Sequence, residues 1–329
     1  MKGVKMKYLI TGCDGQLGGR IAKIMAEKVP AEELVVACPY PEKLPPEKKA
    51  FWKERGVSLR PANYDNREEM INSLRDIDRM VMISTITIGD TRRQQHRNAV
   101  DAAVEAGVEH ITYTSYLGAN NPAFQHVYVT PDHTYTENYI KEKLAGTGMK
   151  YNFMRNNFYL ENFVAAVPML AKLNNNEWVT LAKDGRATCV AKNDSAKLAA
   201  ALVLGKGEDD TAYTACGKEA VSMKEIVEMI NQVSDVSFKY VPVDEQGMYE
   251  FAEKMGIPRD STGDFSNSPF PWCAHDIVTS EQCIRDGMFN VESDDIETVT
   301  GEKRRSVLDL VKEHKYVYEQ EIGHWNQIR

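Results

Sequence analysis

Gly12, Gly15 and Gly18 recur at intervals of three between an apolar run, Tyr8 to Thr11, and a segment carrying Leu17, Ile21, Ile24 and Met25 on one helical face. A strand, a glycine turn and a helix in that order suit a dinucleotide. The turn must be sharp, and side chains in it would hold the backbone away from a pyrophosphate. The first turn of the helix then offers unpaired N–H groups and a partial positive charge to that anion. The end of the second strand normally reports on the adenosine ribose. An acidic residue there binds the 2′-hydroxyl, and an Arg takes a 2′-phosphate. Here the segment runs from Val36 through Cys38, Pro39 and Tyr40 to Lys43, with neither signal present. NADH is therefore favoured over NADPH, with Lys43 the one cation that could still reach a phosphate.

The elements that must position this loop are legible as alternation. Strands are expected at Tyr8 to Thr11, Leu34 to Cys38, Val57 to Leu59, Met80 to Ser84, Ile111 to Thr114 and Tyr151 to Met154. Helical segments separate them, notably Leu17 to Glu27 and Gln94 to Ala106, which ends at Gly107. Short apolar strands divided by helices imply an α/β fold, a Rossmann-type doubly wound parallel sheet. Residues 1–155 form the dinucleotide-binding domain, with later sheet elements expected from about 187–215. Residues 156–329 are expected to form mainly a smaller C-terminal substrate lobe. In that half, Asp194 to Leu204 and Met223 to Val233 read as helices, and Thr211 to Thr214 and Phe238 to Val241 as strands. The stretch from Ile257 to Asn290 carries several Pro and Gly residues, and its aromatic part from Phe265 to Trp272 reads as a Pro-rich loop, either a pocket wall for a planar substrate or ordinary core of the small lobe, with the loop character leaning toward the pocket.

Composition narrows the class. The chain has 329 residues, 43% hydrophobic and 27% charged, with a formal net charge of -8. That balance is globular, and no basic stripe offers itself to nucleic acid. No window approaches a membrane span and no signal peptide is apparent, so a cytoplasmic location is expected. The six cysteines fit neither a zinc pattern nor a disulfide framework and read as free thiols, with no metal expected.

Four further strings carry a resemblance. Thr11 to Gly18, Gln95 to Asn98, Tyr113 to Ser115 and Met154 to Asn162 are similar to motifs of the NmrA-like atypical short-chain dehydrogenases, and the likeness continues through Asp184 to Arg186. The resemblance implies a nicotinamide cofactor without flavin. It implies that Gly12, Cys13, Gly15, Gln16, Leu17 and Gly18 form the pyrophosphate loop, that Ser84 and Thr85 flank a ribose, and that Asn156, Phe158 and Tyr159 lie near the nicotinamide. Pro39 stands where the family has its NADPH-binding Arg, which again favours NADH. Cys13 and Asp14 replace small residues, so the Asp14 carboxylate must point away from the pyrophosphate.

Hydride transfer also needs a proton donor or a group that stabilises oxygen charge. Short-chain dehydrogenases use a Tyr-x-x-x-Lys pair, and Tyr139 with Lys143 is such a pair. Counting back from Arg155, however, the family's position falls on or near His133, at the start of the same helix. Ser115 occupies the place of the family's serine. His133, Ser115 and Tyr139 are thus the catalytic candidates, while His96 and Arg97 are expected to stitch a helix to the sheet. The expected activity is NADH-dependent reduction of a planar aromatic carbonyl compound. By resemblance it extends to reductive opening of the flavanone or flavanonol heteroring. The alternatives are a quinone reductase and a dinucleotide-binding redox sensor without turnover.

Overall fold

The computed structural model describes residues 5–328. Strands β1 (Tyr8–Ile10), β2 (Leu34–Cys38), β3 (Ser58–Pro61), β4 (Arg79–Met82), β5 (His110–Tyr116) and β6 (Lys150–Asn156) are joined by β9 (Thr211–Ala215) in one seven-stranded sheet of order β3-β2-β1-β4-β5-β6-β9. Every pairing in it is parallel. This is the expected doubly wound, Rossmann-type architecture.

Both faces are covered, which is why the strands read as unbroken apolar runs. Successive residues point to opposite faces. Leu9, Val35 and Met80 pack against α3 (Arg67–Leu74), α4 (Asp90–Ala106) and α5 (Thr130–Leu144). Their neighbours Ile10, Val36 and Val81 pack against α1 (Gln16–Lys28) and α7 (Lys192–Val203). Helix α2 (Pro46–Glu54) adds Trp52 to that second layer.

The second half departs from expectation in three places. Ala187, at the start of the range expected to return to the sheet, lies with Arg186 in β8, which pairs antiparallel with β10 (Val221–Ser222) and not with the central sheet. A strand not expected, β7 (Glu177–Thr180), runs parallel to β11 (Lys239–Pro242). The stretch from Ile257 to Asn290 holds a helix, α10 (Ala274–Arg285). Its prolines all precede Ala274, and Gly287 follows it at φ +75°, so the breakers lie outside the helix and punctuate it. With α6 (Val167–Leu173), α8 (Met223–Val233) and α9 (Glu245–Lys254), these elements enclose a separate core around Trp178, Phe289 and Tyr318. Among the described residues, all six cysteines are free and no helix is long and apolar enough to cross a membrane.

One contact sets the entry of α1. A Cβ on Gly18 would lie 2.2 Å from the carbonyl oxygen of Gly12. Backbone meets backbone there and nothing flexible can yield. Gly18→Ala is therefore expected to cost about 1–3 kcal/mol through overpacking, visible as a lowered denaturation midpoint. An unchanged midpoint would mean that α1 can move away from β1 freely.

Candidate active site

The glycine loop leaves β1 through Gly12, at φ +65°, and is pinned to β2 by the Cys13 N–H donating to the Ala37 carbonyl at 3.0 Å. Helix α1 opens with no capping side chain and no acidic residue in its first turn. Gly15 is exposed, and a Cβ there would meet nothing closer than 3.4 Å. Gly18 is thus required by the fold, whereas Gly15 leaves open space before uncapped N–H groups. That space suits the diphosphate of a nicotinamide dinucleotide. The Cys13 side chain is buried against Cys38, and only its backbone faces the loop. Asp14 is exposed.

Strands β2 and β4 flank β1, and their following loops carry the exposed apolar side chains Tyr40 and Ile86. The Lys43 ammonium lies 4.0 Å from the centre of the Tyr40 ring, and Lys48 donates to the Asp14 carbonyl at 2.9 Å. Lys43 and Lys48 thus lie close to the β2 end and the loop, while Arg20 donates to the Gln16 carbonyl at 2.9 Å from within α1.

Ser84 and Thr85 are fixed through their backbones. The Ser84 N–H donates to the Thr114 hydroxyl, and the Thr85 N–H to His96 Nε2 at 3.1 Å. Since Nε2 accepts, His96 carries its proton on Nδ1, facing Thr136 at 2.8 Å. His96 joins α4 to the strand ends; Arg97 bonds only to Gln94 on its own helix. Asn156 is a tie, donating to the carbonyls of Ser115 and Met154 and accepting from Ser195. Phe158 packs edge-on to Tyr116. The Tyr159 ring lies beneath the ammonium of Lys192, at 5.5 Å.

Lys192 was not singled out in the sequence. It is 5% exposed and donates to Gln16 Oε1 at 2.5 Å, beside the α1 N-terminus. Burial pushes its pKa down to about 8, against the pull of Glu161. A buried cation beside an uncapped helix start could hold a cofactor phosphate. Its only sequence signal was a lysine opening an Ala-rich helix.

His133 sits in the first turn of α5, 6% exposed. Its Nε2 lies 3.5 Å from Arg92 Nη1, a pure donor, and its Nδ1 lies 2.8 Å from the Tyr113 hydroxyl. Burial, with Arg92 and His96 nearby, holds its pKa well below the ordinary value. A neutral imidazole with both nitrogens engaged has the geometry of a positioning group and not that of the expected proton donor. The Tyr116 ring stacks on it at 5.6 Å. The Tyr116 hydroxyl is buried without a full hydrogen bond, close to Ser280 and Asp276. Arg92, also buried, has Asp132 at 3.9 Å. Neither Arg92 nor Tyr116 stood out in the sequence, because what makes them unusual is burial.

The other two candidates lie apart from this cluster. Ser115 donates to Glu137, a fully buried carboxylate that also accepts from Asn120 and pairs with Arg155 at 2.6 Å. Tyr139 lies six residues beyond His133, about 9 Å along the helix, and donates to Asp101 on α4 at 2.8 Å. Lys143 lies over the Tyr139 ring. The Tyr-x-x-x-Lys pair thus joins two helices, which corrects its candidacy as a catalytic pair.

Close to the Arg92 cluster lies a partly open, largely apolar cavity. Phe158, Phe163, Trp178, Phe270 and Trp272 line it, with Asp276 and Ser280 among its few polar groups. Phe270 and Trp272 come from the segment expected to form a pocket wall; Phe265 does not line it.

The parallel sheet and the open glycine cradle define the class: a dinucleotide-binding α/β protein, here with a separate apolar cavity. The family model described as the NmrA-like family matches residues 5–269, and the chain belongs to that family. It is 28% identical to quinone oxidoreductase 2 of Escherichia coli over 76% of this chain and 82% of that protein. It is 30% identical to an NmrA-like family domain-containing oxidoreductase of Aspergillus flavus over 73% of this chain and 76% of that one. Triphenylmethane reductase of Citrobacter sp., solved with NADP(H), superposes with a TM-score of 0.78 at 25% identity, covering 94% of this chain and all of that chain. The chain is an NmrA-like oxidoreductase.

Two outcomes follow. Gly15→Val should weaken dinucleotide binding at least tenfold by titration while leaving the denaturation midpoint nearly unchanged, the reverse of Gly18→Ala; unchanged affinity would remove the cradle. His133 is neutral when folded and has an ordinary pKa near 6.5 when unfolded, so the unfolded state binds the extra proton below that pH. Its contribution therefore weakens stability as pH falls, by up to about 1.4 kcal/mol per pH unit. Unfolding of His133→Gln should show a correspondingly flatter pH dependence below about pH 6.5 than the parent protein. Parallel curves would mean that His133 is charged when folded.

Proposed function

We propose that this protein is an NADH-dependent reductase of planar aromatic carbonyl compounds, with quinones the leading substrates. The observation that carries the reading is the aromatic-walled cavity whose polar end, Asp276 and Ser280, adjoins the buried Arg92, His133 and Tyr116. The bound dinucleotide supplies the hydride. The chain's own residues orient the substrate, exclude water and manage the charge that gathers on oxygen.

Arg92 keeps a fixed positive charge at the strand ends, where low dielectric makes it effective on a developing oxyanion. Burial raises the Tyr116 pKa well above its ordinary value, so its phenol stays protonated and able to donate. His133 holds both in place. Quinone reduction balances as one hydride and one proton giving a hydroquinone. Opening of a flavanone heteroring is the second chemistry of this class: hydride adds to the benzylic ether carbon and the departing phenolate takes the proton. The similarity to quinone oxidoreductase 2 supports the first.

The NADH preference rests on Pro39 and on the engagement of both nearby lysines, Lys43 over Tyr40 and Lys48 on the loop carbonyl. Turnover with NADH should exceed that with NADPH, and Pro39→Arg should narrow the gap. Higher rates with NADPH would assign Lys43 and Lys48 to a 2′-phosphate. Arg92→Met and Tyr116→Phe should each lower quinone turnover about 10²-fold or more while leaving NADH affinity intact. NADH binding without consumption of any quinone or flavanone would replace the reductase by the redox sensor.

A further inference from the structure

Three carboxylates line the apolar cavity, and they differ in how they are satisfied. Glu177 pairs with Lys239 at 3.1 Å. Glu281 accepts from the Thr180 hydroxyl at 2.9 Å and from the Leu181 N–H at 2.5 Å. Its oxygens are spent on the end of β7, and its place in the cavity wall is structural. Asp276, in the first turn of α10, has no such anchorage. Among the described residues no cation lies within 4.0 Å of its carboxylate; Arg92 acts on it from further away and Ser280 is its polar neighbour. Helix α10 presents Asp276 and Ser280 one turn apart on the same side, facing a space walled by Phe158, Phe270 and Trp272.

A carboxylate facing an apolar cavity is costly unless something pairs with it. The cation that would pair with it, Arg92, stands off beside Asp132 and His133. Beyond the Ser280 hydroxyl, no donor among the described residues is committed to the Asp276 carboxylate, which can accept a further hydrogen bond from a ligand. A flat aromatic ring fits the walls, and a hydroxyl on that ring would supply the donor. Burial pushes the Asp276 carboxyl up to about 6 while Arg92 opposes the rise, so the anion still predominates at neutral pH and accepts.

We propose that Asp276 is the specificity-determining residue of the cavity, its carboxylate accepting a hydrogen bond from a ring hydroxyl, so that the protein selects hydroxylated planar aromatics over their unsubstituted parents. Ser280 supports the same hydroxyl as acceptor or donor. This rests on the cavity being the substrate site of the proposed reductase and adds the substrate class to it.

The test uses binding as well as turnover. Trp178 and Trp272 line the cavity, so an aromatic ligand entering it should quench tryptophan fluorescence, and Trp272→Phe should diminish the signal if it arises there. The probes are a hydroxynaphthoquinone and the parent naphthoquinone, titrated into the full chain with and without NADH. The parent protein should bind the hydroxylated probe about tenfold more tightly or better, the scale of a hydrogen bond to a charged group. Asp276→Leu should abolish that preference by weakening the hydroxylated probe alone. Asp276→Asn, nearly isosteric and still an acceptor, should retain part of it and serves if the leucine variant folds poorly. In turnover the same variants should raise KM for the hydroxylated quinone by a larger factor than KM for the parent quinone. Equal affinity for the two probes in the parent protein, or equal weakening of both by Asp276→Leu, would overturn the proposal. A hydroxyl preference in binding with no NADH consumption would uphold it and sink the reductase reading.

Discussion

The whole edge of the sheet depends on how closely α1 approaches the end of β1. The Gly12 carbonyl occupies the place where residue 18 would carry its side chain, and only hydrogen fits. This fixes where α1 begins and therefore where its unpaired N–H groups and the positive end of its dipole lie. The loop above it is tied sideways to β2 through Cys13 and to β4 through Thr11, whose hydroxyl accepts from the Ile83 N–H and lies 2.7 Å from the Tyr64 hydroxyl. A cradle held on both sides gives up little freedom on binding a diphosphate.

Beyond β4 the problem changes from space to charge. Glu137, Arg92, Asp132, His96 and His133 are all buried, and an ionised group removed from water is expensive unless it is paired and hydrogen-bonded. Glu137 is fully served by Ser115, Asn120 and Arg155, which makes it an anchor joining β5, β6 and α5. Arg92 is served less well, with its Nε unpartnered and its nearest carboxylate at 3.9 Å. The satisfied carboxylate holds strands and helix together, whereas the buried arginine keeps hydrogen-bonding capacity unspent. The two histidines are neutral because burial and Arg92 exclude a second positive charge.

The elements after β6 bring α10 towards the end of β5, where Ser280 and Asp276 lie close to Tyr116. Lys192 marks the seam on the other side, where its ammonium lies between the Tyr159 and Trp325 rings and reaches Gln16. Cofactor loop, post-β6 loop and lobe thus meet at one buried cation.

Much of this was legible in the chain itself. Parallel strands buried on both faces need unbroken apolar runs, and a pyrophosphate loop needs glycines at a fixed spacing, so the sheet and the loop follow from local pattern. Met223 to Val233 was bounded by its own capping box at Ser222 and Glu225. The Pro and Gly residues around α10 were visible too, but they read as a loop because breakers outside a helix look the same as breakers inside one until the intervening turn is built. The roles of Tyr139, Ser115 and His133 were not legible. Which way a helix turns its tyrosine, whether a strand-end serine meets a buried glutamate, and whether a histidine finds both nitrogens taken depend on residues 20 to 41 positions away. Arg92, Tyr116 and Asp276 are ordinary residue types in the chain. Only burial, which is a property of the folded whole, removes the water that would otherwise pair with them.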